Sequence, residues 1–287
     1  MKITFRSLTR VLVTLLLLAG AGLAARELWA HYMDDPWTRD ARVRADIVGV
    51  TPDVSGLVSE VLVHDNQEVK KGDVLFRVDR QRFAIALEQA EAAIDGREAT
   101  LDQARRDSER LEKLGDVAST QSKEKAQAVV VEAQASFRQA QADRDLARLN
   151  LDRSDIRAAV NGVITNLSLR PGDYVSAGTA ELALVDTDSL RVEGYFEETK
   201  LSRIHVGDAV SVRLMGQSGV ISGRVESIAA GIEDRERTVG SGLLANINPT
   251  FSWVRLAQRV PIRIALDTVP DDVRLVAGLT ATVAVQN

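Results

Sequence analysis

The sequence predicts a mixed, mainly β chain that carries one long α-helical hairpin, and three observations predict it. Residues 54–76 (VSGLVSEVLVHDNQEVKKGDVLF) and 160–182 (VNGVITNLSLRPGDYVSAGTAEL) align without a gap at a constant offset of 106. Between them, residues 81–155 hold no proline and place apolar residues at alternating steps of three and four, the signature of a helical seam. Beyond them, short alternating runs separated by turn residues continue to the C-terminus, as in a small β-barrel.

Composition narrows the chemistry. The chain has 287 residues, 45% of them hydrophobic and only 4% aromatic, with a net charge of −5. An acidic balance argues against a nucleic-acid binder, which presents a basic face. There is no cysteine, so disulfides, thiolate metal sites and cysteine nucleophiles are excluded.

Lys2, Arg6 and Arg10 precede an apolar run from Val11 to Ala25, which Leu28, Trp29 and Tyr32 extend past Arg26 and Glu27. A span over residues 1–32 of this kind reaches across a bilayer core of roughly 30 Å, with Trp29 and Tyr32 at interfacial depth. The basic start, short leucine core and Ala19-Gly20-Ala21 also fit a cleavable signal peptide. We expect the uncleaved transmembrane anchor, and both readings export the chain beyond residue 32. His31 to Asp40 reads as a polar linker.

Residues 41–80 read as strands and turns. In the repeat Val54, Gly56, Val69 and Gly72 fall on Val160, Gly162, Val175 and Gly178, so residues 156–188 form the partner half. Two similar halves so far apart imply one β domain opened in its middle.

Residues 81–155 fill that opening. One seam runs Phe83, Leu87, Ala90, Ile94, Leu101, Ala104 and Leu111; the other runs Ala126, Val130, Ala133, Phe137, Ala140, Ala147 and Leu151. Arg97 and Arg144 interrupt them. Gly115-Asp116 lies between arms of equal length, as in an antiparallel coiled-coil hairpin about 50 Å long at roughly 1.5 Å per residue.

Residues 189–287 supply the barrel, with strands expected at Leu190–Tyr195, Ala209–Leu214, Val220–Ile228, Val260–Leu266 and Thr280–Val285. The polar segment Glu233 to Pro249 reads as a long mobile loop. His31, His64 and His205 have no metal-ligand spacing, and no nucleophile elbow, P-loop or dinucleotide fingerprint occurs. No catalytic, cofactor or metal site is expected.

The half-motifs around Gly56, Gly72, Gly162 and Gly178 resemble the halves of a lipoyl or biotinyl domain. Carrier domains of that kind hold the modified lysine on the turn between the halves. Here the hairpin replaces that turn, and Lys70 and Lys71 lie inside the first half, so the acyl-carrier alternative finds no lysine. An anchor, a split lipoyl-like domain, a helical hairpin and a C-terminal barrel, in that order, resemble the membrane fusion proteins, the periplasmic adaptors of tripartite efflux pumps. The strings PWTRDARVRADIVGVTPDVSGLVSEVLVHDNQEVKKGDVLF, YFEETKL and WVRLAQRVPIRI resemble the adaptors of p-hydroxybenzoate (aromatic carboxylic acid) efflux systems; a lipophilic-drug cargo is the alternative.

That resemblance implies a non-enzymatic subunit, single-pass in the inner membrane with its bulk in the periplasm. It implies an inner-membrane transporter and an outer-membrane channel as partners, and self-association into a ring, a hexamer or trimer of dimers. It also implies docking by an Arg, Leu and Ser set at the hairpin tip, matched here by Arg110, Leu114 and Ser119. Arg255, Arg259 and Arg263, near Trp253, are candidate contacts to the transporter or to an anion.

Overall fold

The computed structural model describes residues 5–29, 35–217, 219–232, 237–239, 245–247, 257–270 and 273–286. In chain order the first elements are helix α1 (Phe5–Trp29) and strands β1 (Trp37–Arg44), β2 (Ile47–Val50), β3 (Gly56–Val61), β4 (Glu68–Val69) and β5 (Val74–Val78). Helices α2 (Arg80–Lys113) and α3 (Thr120–Asp152) follow, then β6 (Asp155–Arg157), β7 (Gly162–Thr165), β8 (Tyr174–Val175), β9 (Leu182–Asp186) and β10 (Arg191–Glu197). The last strands are β11 (Ala209–Leu214), β12 (Val220–Ile228), β13 (Arg237–Val239), β14 (Ala245–Ile247), β15 (Arg259–Leu266) and β16 (Thr280–Gln286). They divide into one unit of residues 46–188 and another of residues 1–45 with 189–287.

In the first unit two four-stranded sheets, β2-β9-β7-β4 and β6-β5-β3-β8, enclose a core of Val58, Leu75, Phe76, Ile164, Val175 and Leu184. The repeat of the sequence is a twofold relation between backbones. Asn66 N–H donates to the Ile164 carbonyl at 2.9 Å, and Gly172 N–H donates to the Val58 carbonyl at 2.8 Å. The return bonds, Ile164 N–H to Gln67 O and Val58 N–H to Asp173 O, obey the same offset. So do Gly72 N–H to Ala158 O and Gly178 N–H to Pro52 O. Each half lends a two-residue strand to the other: β4 pairs β7, and β8 pairs β3. Neither half can satisfy its own backbone groups alone, which explains why they reunite across a long insertion.

That insertion is the hairpin. α2 has 34 residues and α3 has 33, joined by a short 3-10 turn over Gly115–Val117. Leu101, Ala104, Ala133 and Ala140 are buried along the seam, with Val130 and Phe137 packed against them. Alanine at closest approach leaves little area to bury, so stability rests on a few larger side chains. Buried Ser108 also lies on the seam, with its hydroxyl donating to Gln127 Oε1 at 3.4 Å. Of the two interrupting arginines, Arg97 is exposed and Arg144 is half-buried.

The foot of the hairpin is tied by one carboxylate. Asp155 accepts from Arg80 at 2.8 Å and from Arg77 at 3.2 Å, with Arg157 at 3.5 Å. Asp155 thereby joins the first residue of α2 to strands β5 and β6.

In the second unit β1-β10-β15-β12-β11-β16 close into a barrel. Alternation places Val192, Phe196, Val212, Ile262, Ile264 and Val283 inside, all fully buried. The barrel's first strand corrects the sequence reading. Trp37–Arg44 spans the end of the expected linker and the start of the stretch 41–80, yet it pairs β10 and β16 in the barrel. Its inward residues are Thr38, Ala41 and Val43, too small and too irregularly spaced to announce a strand. A second correction concerns Glu233 to Pro249, where β13 and β14 form an antiparallel pair; the rest of that segment lies outside the described residues. Among the described residues no helix is long and apolar enough to cross a membrane.

Candidate docking site at the hairpin tip

The tip is built by two helix caps. α2 ends at Leu114, whose N–H still reaches the Arg110 carbonyl at 3.3 Å. Gly115 then takes φ 55°, a left-handed turn that glycine adopts without strain. Val117 N–H closes the turn on the Leu114 carbonyl at 3.1 Å. Ser119 starts α3 as an N-cap, its hydroxyl accepting from Ser122 N–H at 3.2 Å and lying 2.8 Å from the Ser122 hydroxyl. That cap satisfies one of the orphan donors of a helix start.

Arg110, Leu114 and Ser119 are therefore brought to one end of the rod, with different duties. The Arg110 guanidinium is 3.2 Å from Asp107 on its own helix and remains largely exposed. Leu114 is half exposed at 48%. The seam closes one turn earlier, at half-buried Leu111. Ser119 holds the helix start, so its hydroxyl serves structure first.

The residue that sequence reasoning passed over is Val117, at 86% the most exposed of the large hydrophobic side chains described. Its signal was a valine in a Gly-Asp-Val-Ala turn, off either seam. Leu114 and Val117 both expose apolar side chains at the tip, and their sequence neighbours Glu112, Lys113 and Asp116 are exposed as well. Exposed aliphatic surface at the end of a rod gains by burial against a partner, and the surrounding mixed charges orient the contact.

The other candidate residues lie elsewhere. Gly56 and Gly162 open β3 and β7, while Gly72 and Gly178 take φ 95° and 86° in equivalent turns. A Cβ on Gly162 would stand 2.2 Å from the Val185 carbonyl oxygen. These four glycines shape the repeat. Arg259 bonds Asp40, and Arg263 lies 3.7 Å from Glu226; Trp253 and Arg255 lie outside the described residues. His64 sits on an exposed turn, and His205 Nδ1 is 3.7 Å from Asp208. Among the described residues no cluster could hold a metal ion.

Residues 46–187 match the RND MFP barrel-sandwich hybrid domain, and residues 189–286 match the AAEA-like beta-barrel domain. The two matches meet at the boundary between the structural units and leave out little but the N-terminal segment. The chain belongs to the membrane fusion protein family. Solved structures share the fold of this membrane fusion protein. The membrane fusion protein Spr0693 from Streptococcus pneumoniae R6 is similar at 17% identity and a TM-score of 0.67, over 87% of this chain and 98% of that one. A MacA-MexA chimeric protein containing the Pseudomonas aeruginosa MexA alpha-hairpin domain is similar at 19% identity and a TM-score of 0.60, over 88% and 82%. ZneB from Cupriavidus metallidurans is similar at 20% identity and 0.53, over 87% and 98%. At these identities the likeness is one of fold.

Proposed function

We propose that this membrane fusion protein is the periplasmic adaptor of an efflux pump, anchored in the inner membrane by its N-terminal segment, residues 1–32, and joining a transporter there to an outer-membrane channel. The observation that carries the reading is the tip: a rigid helical rod ends in Leu114 and Val117, aliphatic side chains exposed where the rod itself has no use for them. The anchor is supported by the N-terminal sequence. Leu12, Leu15, Leu16, Leu17, Leu18 and Leu23 are all exposed along α1. That helix by itself is not long and apolar enough to cross a membrane, so the proposed span rests on the sequence from Val11 to Tyr32, which runs on past the end of α1. The role is to seal and couple, with lipoyl-like domains side by side in a ring and the transporter supplying energy and selectivity. The resemblance of the PWTRDARVRADIVGV, YFEETKL and WVRLAQRVPIRI strings supports aromatic carboxylic acids as cargo.

Deleting the gene tests this reading. The deletion strain should become sensitive to p-hydroxybenzoate and be rescued by the intact chain, with little rescue by the double variant Leu114→Ser, Val117→Ser. Unchanged tolerance of p-hydroxybenzoate, with lost tolerance of lipophilic dyes, moves the cargo to the multidrug class. Full rescue by the double variant removes the docking role of the tip.

A further inference from the structure

The barrel carries a second feature, and the inference drawn from it rests on the carboxylate cargo of the proposed function. A shallow trough of about 340 Å³ crosses its outer face. Its floor is made of small side chains, Ser211, Thr282 and Ala284, on neighbouring strands β11 and β16. Trp37 and Arg39 wall one side from β1, and Arg213 and Val220 wall the other from β11 and β12. Among the described residues no acidic side chain lines it.

The way β1 is built leaves Arg39 available. Trp37 and Thr38 pair Ala284 and Val283, but Ala41 pairs Ala281, so Arg39 and Asp40 together face one residue of β16. Such a bulge turns two consecutive side chains out of the barrel. Asp40, the carboxylate nearest to Arg39 in sequence, is taken by Arg259. Arg39 instead lies over the Trp37 ring, 5.3 Å from its centroid. Lys200, itself almost buried, places its ammonium 5.6 Å from the same ring. Among the described residues neither Arg39 nor Arg213 has a carboxylate partner.

We propose that this trough is a binding site for a small organic anion, a carboxylate on an apolar body. The two guanidiniums take the carboxylate oxygens by charge-assisted hydrogen bonds. The edge of Trp37, Val220 and the methyl of Ala284 cover the apolar part, and the small floor residues make the room. The volume is at the lower end of small-molecule sites. The closed barrel has no free strand edge at which an extended peptide could add.

The test uses the full chain in detergent with Trp29→Phe and Trp253→Phe, so that Trp37 alone reports. Sodium benzoate and sodium hexanoate are titrated at constant ionic strength, with sodium chloride and benzyl alcohol as controls. The expected result is a saturable fluorescence change with the carboxylates, weakened about tenfold or more by R39Q and by R213Q, partly kept by R39K and R213K, and untouched by R170Q. A stronger response to benzoate than to hexanoate assigns the apolar contact to the Trp37 ring; equal responses assign it to the aliphatic wall. Arg39 and Arg213 are exposed, so the variants should melt like the parent. No saturable response, an equal response in R39Q and R213Q, or an equal response to chloride or benzyl alcohol overturns the proposal. Binding of an acidic peptide without binding of benzoate overturns it in favour of a protein partner. None of these outcomes touches the hairpin tip, so this site and the adaptor reading stand or fall separately.

Discussion

Asn66 and Gly172 are the same residue of a repeat, each donating its backbone N–H into the opposite half of one domain. Asn66 bonds the Ile164 carbonyl at 2.9 Å, and Gly172 bonds Val58 at 2.8 Å. Both are left-handed, at φ 62° and 96°. Asparagine tolerates this conformation better than other non-glycine residues, and a β-carbon there costs about 1–2 kcal/mol. Asn66→Gly should therefore unfold in urea within about 0.5 kcal/mol of the parent, and Asn66→Ala and Gly172→Ala should each lose about 1–2 kcal/mol. Equal stability of Asn66→Ala and Asn66→Gly would remove the backbone argument.

The repeat is not symmetric in its tolerance of side chains. A Cβ on Gly162 meets the backbone oxygen of Val185 at 2.2 Å, whereas one on Gly56 meets a Val78 methyl group at 2.9 Å. A methyl group can shift and a paired strand cannot. Gly162→Ala should cost about 3 kcal/mol or more and Gly56→Ala about 1–2 kcal/mol by urea denaturation. The reverse order would contradict this packing.

Asp155 is the tie at the foot of the rod. Its side chain is only 11% exposed and its three arginine partners are one-third to one-half exposed, so water moderates the loss when the tie is cut. Asp155→Ala should cost about 1–2 kcal/mol and speed amide exchange at Val78, whose N–H bonds the Ser154 carbonyl. Unaltered exchange at Val78 would mean that the strands hold the foot without Asp155.

The seam of the hairpin predicts a fourth stability effect. Leu101 is 2% exposed among alanines, so it supplies much of the apolar contact there. Leu101→Ala should cost about 2–4 kcal/mol and lower helical content near the middle of the rod, measured by circular dichroism. Ser108→Ala should change stability by less than about 1 kcal/mol, because its bond to Gln127 is long.

Pattern strength decided how much of the molecule was legible in the sequence. The hairpin seam and the repeat stand on periodicities sustained over many residues. Ala209–Leu214 and Val220–Ile228 alternate cleanly and are strands over those bounds. The strand Trp37–Arg44 was hidden for two reasons: its inward side chains are small, and the bulge at Arg39-Asp40 breaks the period of two. The same bulge creates the trough, so its most informative residues were read as a polar linker. At the tip, Arg110, Leu114 and Ser119 came from a resemblance, which carries residue types and no exposure. Val117 emerged only once the turn placed it outside both seams. Arg259 looked available for a partner in sequence, and it is paired with Asp40 because both β1 and β15 flank β10 in the barrel, a juxtaposition no local pattern could reveal.

The central claim is that the exposed tip is a docking surface, and Val117 offers the direct measurement because the chain holds no cysteine and Ser119 is needed as a cap. Val117→Cys should be treated in intact cells with a thiol-to-amine crosslinker, with Glu88→Cys near the foot of the rod as control. An outer-membrane channel protein joined to the chain at position 117 and not at 88 is the predicted result. Equal capture at both positions, or none at 117 in cells that still export the cargo, would contradict it.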